Sequence, residues 1–175
     1  MIDYTPWNVT DYQKIFIDES KQLIEIFRNE IVEIHHFGST AVKGLPGNQS
    51  LDILPVVKNI EKIEQYVEAM MSVGYHMTTF SVYADERCKV FIREINGLTR
   101  VILMVERTDF DAIDRRLAVR DYLRMHPEIR KSYADLKQKL AFQFTGDYQG
   151  YKNAKDEFVS FLEQDAVNWY KTTKR

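Results

Sequence analysis

The feature that most constrains this chain is a run of β-branched and aromatic residues, Ile31-Val-Glu-Ile-His-His-Phe37, that halts at Gly38-Ser39-Thr40. Such side chains suit a pleated, half-buried surface, so the run predicts a strand. The segment Gly38 to Gly47 holds three glycines and Pro46, which predicts turns, with one helical turn at Thr40–Val42. Leu51-Asp-Ile-Leu-Pro-Val-Val57 predicts a second strand carrying Asp52. Pro55 has no N–H to give to a ladder, so that strand lies near an edge or bulges there. The unit has a chemical use. Glycine lets the backbone approach a phosphate, and hydroxyls and amides can donate to its oxygens. A carboxylate on the next strand can hold Mg²⁺ against the same phosphates. A tight turn followed by a strand-end aspartate is the plainer reading of the same residues.

The flanking pattern supplies helices. Tyr12, Ile15, Phe16, Leu23, Ile26 and Phe27 recur at helical spacing between Asp11 and Asn29, behind Pro6 and Trp7, with Asp18, Lys21, Glu25 and Arg28 on the other side. Asn59 predicts the cap of a helix with Ile63, Tyr66, Val67, Met70 and Met71 turned inward and Gly74 as its stop. Tyr75–Tyr83, Cys88–Ile95 and Arg100–Glu106 predict three more strands, the last two joined by an Asn96-Gly97 hairpin. Thr108 and Asp111 form a capping-box pattern for a helix to Met125. Pro127 opens a further helix with Tyr133, Leu136, Leu140 and Phe144 inward, and Gly146-Asp147 breaks it. A last helix carries Tyr151, Phe158, Leu162, Ala166 and Trp169 ahead of a solvated, frayed Lys171–Arg175 tail. Strands in the middle and helices at both ends predict a mixed sheet with helices packed on it, as one α+β domain over residues 1–175.

Composition narrows the classes. At 45% hydrophobic and 29% charged residues the chain is ordinary for a folded domain, and a net charge of −2 gives no general pull towards nucleic acid or anionic membrane. The single cysteine, Cys88, reads as a small strand hydrophobe and permits no internal disulfide. No signal-peptide pattern and no apolar run of about 20 residues is seen, so cytoplasm is the expectation.

Three blocks carry a family resemblance. Glu33-Ile-His-His-Phe-Gly-Ser-Thr-Ala-Val-Lys-Gly-Leu45 closely resembles the signature of the GrpB family. Arg116-Leu-Ala-Val-Arg-Asp-Tyr-Leu-Arg-Met-His-Pro-Glu128 resembles its downstream block, with Tyr133 and Leu136-Lys137 in step, and Tyr151-Lys-Asn-Ala-Lys155 ahead of Phe158 is the third match. The resemblance covers nearly the whole chain and implies the nucleotidyltransferase-like fold, a mixed β-sheet flanked by helices with a helical C-terminal third. In that superfamily a Gly-Ser turn precedes an Asp-hydrophobic-Asp/Glu pair that binds two metals. Relatives also occur fused to dephospho-CoA kinase.

The departures are as informative. The second carboxylate would fall at Leu54, which cannot ligate Mg²⁺, so the two-metal arrangement is incomplete. Glu94 and Glu106, near strand ends, are the candidate replacements, Glu106 the preferred one. A His-x-His run usual in the family is absent from Arg100–Val105, and its Lys-Pro before the second strand is replaced near Asn48-Gln49.

The candidate site is therefore Asp52 as catalytic and metal-binding group, Glu106 as second metal ligand, and Gly38, Ser39, Thr40, His36, Arg93, Arg120 and Lys155 as ligand contacts. Each has a plainer alternative. His36 can be a strand-end histidine, Arg93 a surface cation, and Lys155 a solvated lysine. Arg120 beside Asp121 reads first as a helix-to-sheet salt bridge, since neighbours in a helix do not face each other. Two functions stand side by side. One is Mg²⁺-dependent transfer of a nucleotidyl or phosphoryl group. The other is a module that binds a nucleotide or other phosphate-bearing small molecule without catalysis. A protein-interaction domain of the same fold is a third.

Overall fold

A computed structural model describes residues 9–46, 49–79 and 87–173. The first amphipathic stretch forms α1 (Val9–Phe27), followed by a 3-10 turn and then β1 (Ile31–Phe37). A second 3-10 turn, Ser39–Ala41, leads to β2 (Ser50–Val57). After a 3-10 stretch at Glu61–Tyr66 come α2 (Val67–Ser72), β3 (His76–Thr78), β4 (Cys88–Ile95) and β5 (Leu98–Glu106). Three helices finish the chain: α3 (Phe110–Met125), α4 (Pro127–Gln143) and α5 (Tyr148–Thr173).

The five strands form one sheet in the order β1-β2-β5-β4-β3. β2 and β5 pair in parallel at its centre, and every other pairing is antiparallel. Strand alternation sends Leu51, Ile53 and Ile102 to one face, against Leu23 and Phe27 of α1 and Met70 of α2. Leu54, Val56, Val101 and Leu103 go to the other face, against Leu117 of α3 and Ala166 of α5. A third cluster joins Val42 and Leu45 of the turn segment to Leu123, Tyr133 and Leu162. Asn96 and Gly97 both take positive φ, 52° and 76°, the twist that a two-residue hairpin requires.

Several expectations are corrected. β2 is an interior strand, so Pro55 does not mark an edge; Pro55 pairs with Ile34, and the irregularity falls in β1, whose register shifts between Ile31 and Glu33 opposite Val57 and Val56. The cap of α3 is Asp109, which accepts from the Ala112 amide at 3.1 Å, while Thr108 turns back to donate to Glu106. Met71 is 60% exposed while its neighbour Met70 is fully buried, since adjacent helical positions lie about 100° apart around the axis. Helix α5 continues through Thr173, so the lysine tail starts as helix. Of the strand expected at Tyr75–Tyr83, His76–Thr78 is observed, and residues 80–83 lie outside the described residues, as do Pro6, Trp7, Gly47 and Asn48. Cys88 is half-buried against the second core face, as expected of a small hydrophobe.

Arg93 has a purely architectural setting. It points to the α1 face, where its guanidinium lies 2.6 and 2.7 Å from the two carboxylate oxygens of buried Glu19, and 4.4 Å from the Tyr75 ring centre. Arg100 meets the same carboxylate at 2.6 Å, and the Tyr75 hydroxyl donates to it at 2.7 Å. Removing one partner of such a cluster strands the others without water. Glu19→Ala is expected to lower unfolding free energy by about 3–5 kcal/mol, read by urea denaturation, because two buried guanidiniums lose their counter-charge. A loss below about 1 kcal/mol would show that the cluster is effectively solvated.

Candidate functional site

Asp52 sits on β2 opposite Phe37 of β1 and Val101 of β5, and is only 7% exposed. It packs directly on the turn. A Cβ added at Gly38 would come within 2.4 Å of the Asp52 Oδ2, and Gly38 takes φ +73°, so glycine is required there twice over. The turn is tied down from behind. The Thr40 hydroxyl donates to the Ser50 carbonyl at 3.0 Å, which leaves its oxygen to accept from His36 Nε2, also at 3.0 Å. His36 stacks on Phe16 of α1 and is held neutral, its pKa pushed down to about 4 by burial and then by Arg124 and Arg120. The Ser50 hydroxyl donates to Asp52 Oδ1 at 3.0 Å.

Helix α3 is fastened to the same corner. Arg120 donates to the His36 carbonyl at 3.2 Å, and Arg124 to the Ala41 carbonyl at 3.1 and 2.7 Å. Arg120 also makes a double contact with its immediate neighbour Asp121, at 2.7 and 3.0 Å. The expectation that adjacent helical residues would not meet fails here, since the long arginine curls back on itself while reaching for the strand end.

Over Asp52 opens a cleft of about 510 Å³ between the strand ends of β2 and β5 and helices α3, α4 and α5. Of the sequence-derived candidates it brings together Gly38, Ser39, Asp52, Arg120 and Lys155. Thr40 and His36 stand behind the turn as supports. Arg93 lies on the opposite face of the sheet. Glu106 pairs with Val57, five positions along the strand from Val101, which puts it about 16 Å from the Asp52 level. There it accepts from the Ile60 amide and the Thr108 hydroxyl, which hold its carboxyl below the ordinary value. It cannot share a metal with Asp52. Glu94 lies on the Asp52 face but two strands away, about 10 Å, with its side chain in solvent.

Lys137 figures in the sequence only as part of the family's downstream block, with no site role expected of it. It projects from α4, is 1% exposed, donates to the Pro46 carbonyl at 2.5 Å and lies 5.5 Å from the Tyr133 ring centre. Its signal was present: a lysine four residues after Tyr133 and three before Leu140 lies on an apolar stripe. Burial, and then Lys155, push its pKa down to about 7. Lys155 is likewise lowered, chiefly by burial, with its ammonium 5.6 Å from the Tyr151 ring centre. Asp52 moves the other way: burial raises its carboxyl to about 6, against the pull of the Ser50 hydroxyl, Lys137 and Lys155.

Arg115, Arg116, Arg120, Lys137, Lys152 and Lys155 thus face Asp52, Asp156 and Glu163 across one cleft, a clear excess of positive charge. Glu163 is engaged by Arg115 at 3.4 Å and Asp156 by Lys152 at 3.8 Å. The donor set does not fit a resident Mg²⁺. Asp52 is the single carboxylate at the turn, two lysines flank it, and Leu54 is fully buried in apolar packing. Among the described residues, no three His, Cys, Asp or Glu side chains cluster to hold a metal. No helix of the described residues is long and apolar enough to cross a membrane.

Comparison with known proteins gives the family and the fold. The GrpB protein family matches residues 5–165. The chain belongs to that family. UPF0157 protein YqkA of Bacillus subtilis (strain 168) is 36% identical over 160 residues, 91% of this chain and 46% of its own length, so the chain spans less than half of that relative. Glutamate-rich protein GrpB of Alkalihalophilus pseudofirmus is 31% identical over 153 residues, covering 85% of this chain and 87% of that protein. The crystal structure of conserved protein GrpB from Enterococcus faecalis superposes with a TM-score of 0.84 at 26% identity, over 95% of this chain and 96% of that one. A structure of the RNA terminal uridylyl transferase Cid1 matches with a TM-score of 0.54 at 14% identity, covering 76% and 40% of the two chains. This GrpB chain therefore has the nucleotidyltransferase-like α+β fold, and at that identity the likeness to Cid1 extends to fold alone.

The raised carboxyl at Asp52 has a measurable cost. The folded state holds its proton up to about pH 6 and the unfolded state releases it near 3.8, so stability falls as pH rises through that window. The difference amounts to roughly 3 kcal/mol once both states are ionised. Asp52→Asn is expected to raise Tm by several degrees at neutral pH and to lose that advantage towards pH 4, in differential scanning calorimetry. Equal Tm values at neutral pH would mean the carboxylate is solvated in the folded protein.

Proposed function

We propose that this GrpB-family chain binds a nucleotide or other phosphate-bearing small molecule in the cleft over Asp52. The observation that carries the reading is the convergence of basic side chains from three helices on one buried carboxyl and one glycine turn. An anion placed there gains from Lys137 and Lys155 at the base and from Arg120 on the side wall. Fixed cations in a low-dielectric pocket hold phosphate more strongly than the same groups on an open surface. The apolar wall, with Leu45, Val101, Leu123 and Val159, gives the body of the ligand a non-polar bed. Cid1, which shares the fold, has solved structures with MgATP and MgGTP bound, which makes nucleotides the first class to test. One cysteine, with no internal disulfide to form, suits the cytoplasm as the compartment.

Binding is preferred to metal-dependent nucleotidyl transfer because of what surrounds Asp52. Leu54 replaces the second carboxylate, Val101 faces Asp52 from β5, and Arg100 is committed to Glu19 on the other face.

Calorimetric titration with nucleoside triphosphates, their diphosphates and pyrophosphate tests the proposal. Lys155→Ala is expected to weaken the best ligand about tenfold, about 1.4 kcal/mol. Glu106→Gln, at the far end of β5, should leave its affinity as in wild type. No heat with any compound, or equal loss from both substitutions, would remove this cleft as the binding site.

A further inference from the structure

The cleft has two chemically different levels, and the apolar one says what should carry the phosphate. Leu45, Leu123 and Tyr133 belong to one apolar cluster with Val119 and Val159 packed against it, and all five line the cleft. Tyr133 of α4 and Phe158 of α5 stack at 5.4 Å, 14° from parallel, which sets those two helices level with each other. On α4, Lys137 stands four residues beyond Tyr133; on α5, Lys155 stands four residues before Val159. The two helices are joined by a short connection and run in opposite directions, so both steps lead the same way. The lysines therefore form a cationic level about 6 Å along the axes from the apolar one.

The apolar level offers little that recognises a nucleobase. Among the described residues, the aromatic side chains of the lining are Phe37 and Tyr133, 3% and 8% exposed. The Tyr133 ring already lies against Phe158, with the Lys137 ammonium over it at 5.5 Å. A base finds no open ring there to stack on. Its polar edge fares no better. The neutral polar side chains of the lining are the hydroxyls of Ser39, Ser50, Thr99 and Tyr133, with no amide or imidazole among them, and that of Ser50 is given to Asp52. The arginines of α3 are drawn into contacts within the protein: Arg115 with Glu163, Arg116 with the Ala112 carbonyl and Arg120 with Asp121. The main chain of the walls is engaged in helices and in the β2–β5 ladder. Donors and acceptors of a base set against such a wall stay unpaired, a penalty that an aliphatic chain does not meet.

We infer that the cleft takes a phosphate carried on a short aliphatic chain in preference to a nucleotide: the phosphate sits at the level of Lys137 and Lys155, and the chain lies on the wall of Leu45, Val119, Leu123 and Val159. The inference rests on the phosphate-binding reading of the cleft and names the class of molecule that bears the phosphate. The likeness to Cid1 is one of fold and does not supply the missing base contacts. Each methylene removed from water on this wall raises affinity about fourfold.

The test is calorimetric titration of the full chain with ethyl, butyl and hexyl phosphate, adenosine monophosphate and inorganic phosphate. Affinity is expected to rise about tenfold for each two methylenes added, and hexyl phosphate to bind at least about tenfold more tightly than adenosine monophosphate. Val159→Asn, at a half-buried position on the wall, should flatten the rise with chain length and leave inorganic phosphate as in wild type. Lys155→Ala should weaken every member of the series by the same factor. Retained affinity for inorganic phosphate shows that the Val159 variant is folded; if it does not fold, the wild-type series decides alone. Adenosine monophosphate binding as tightly as hexyl phosphate, or affinity independent of chain length, overturns this inference and leaves phosphate binding standing. Failure of every phosphate compound to bind removes both.

Discussion

The parallel pairing of β2 with β5 is the contact on which the rest of the molecule depends. Both strands lie at the centre of the sheet, with α1 and α2 on one face and α3 and α5 on the other. Nearly every residue of the two strands is buried, which explains why they read as almost unbroken apolar runs. The buried charges of these strands lie near their N-terminal ends. Asp52 lies there on one face and Arg100 on the other, each with its own counter-charges. The sheet thereby separates two ionic groups: a closed one around Glu19 that holds α1 to the sheet, and an open one around Asp52 that lines a cleft.

Asp52 links the turn to the cleft. Its carboxyl fills the space that a side chain at Gly38 would occupy, and the hydrogen bonds through His36, Thr40 and Ser50 fix the turn behind it. The arginines of α3 fasten that helix to the same carbonyl groups, so turn, strand end and helix form one rigid corner. Against this corner α4 and α5 bring the two lysines. The corner is costly in isolation: a buried aspartate whose charge is disfavoured, with one fully buried and one half-buried lysine beside it.

Much of this was legible in the chain. The β-branched run, the glycine turn and the second strand set the unit that holds Asp52, and the switch from alternating to helical periodicity located the helical C-terminal third. The motif blocks directed attention to Gly38, Ser39, Arg120 and Lys155, and all four line the cleft. What misled was treating polar residues on strands as equivalent. Arg93 lies on β4 beside a cleft strand and Glu106 on the cleft strand β5 itself, yet one faces the opposite side of the sheet and the other lies at its far end. Strand parity and register decide that. Lys137 stands in a motif block yet was given no site role, since a lysine in a helix ordinarily belongs to solvent.

The sequence by itself determined the local elements and the loss of a second carboxylate at Leu54, since each follows from local pattern or side-chain chemistry. The tertiary structure decided which charges meet. β2 and β5 are adjacent only because the chain between them crosses over through α2, β3 and β4, and α4 and α5 reach Asp52 only by packing on α3 and the turn. Proximity between residues so far apart in sequence, and the desolvation that shifts their protonation, are properties of packing, and no local pattern encodes them.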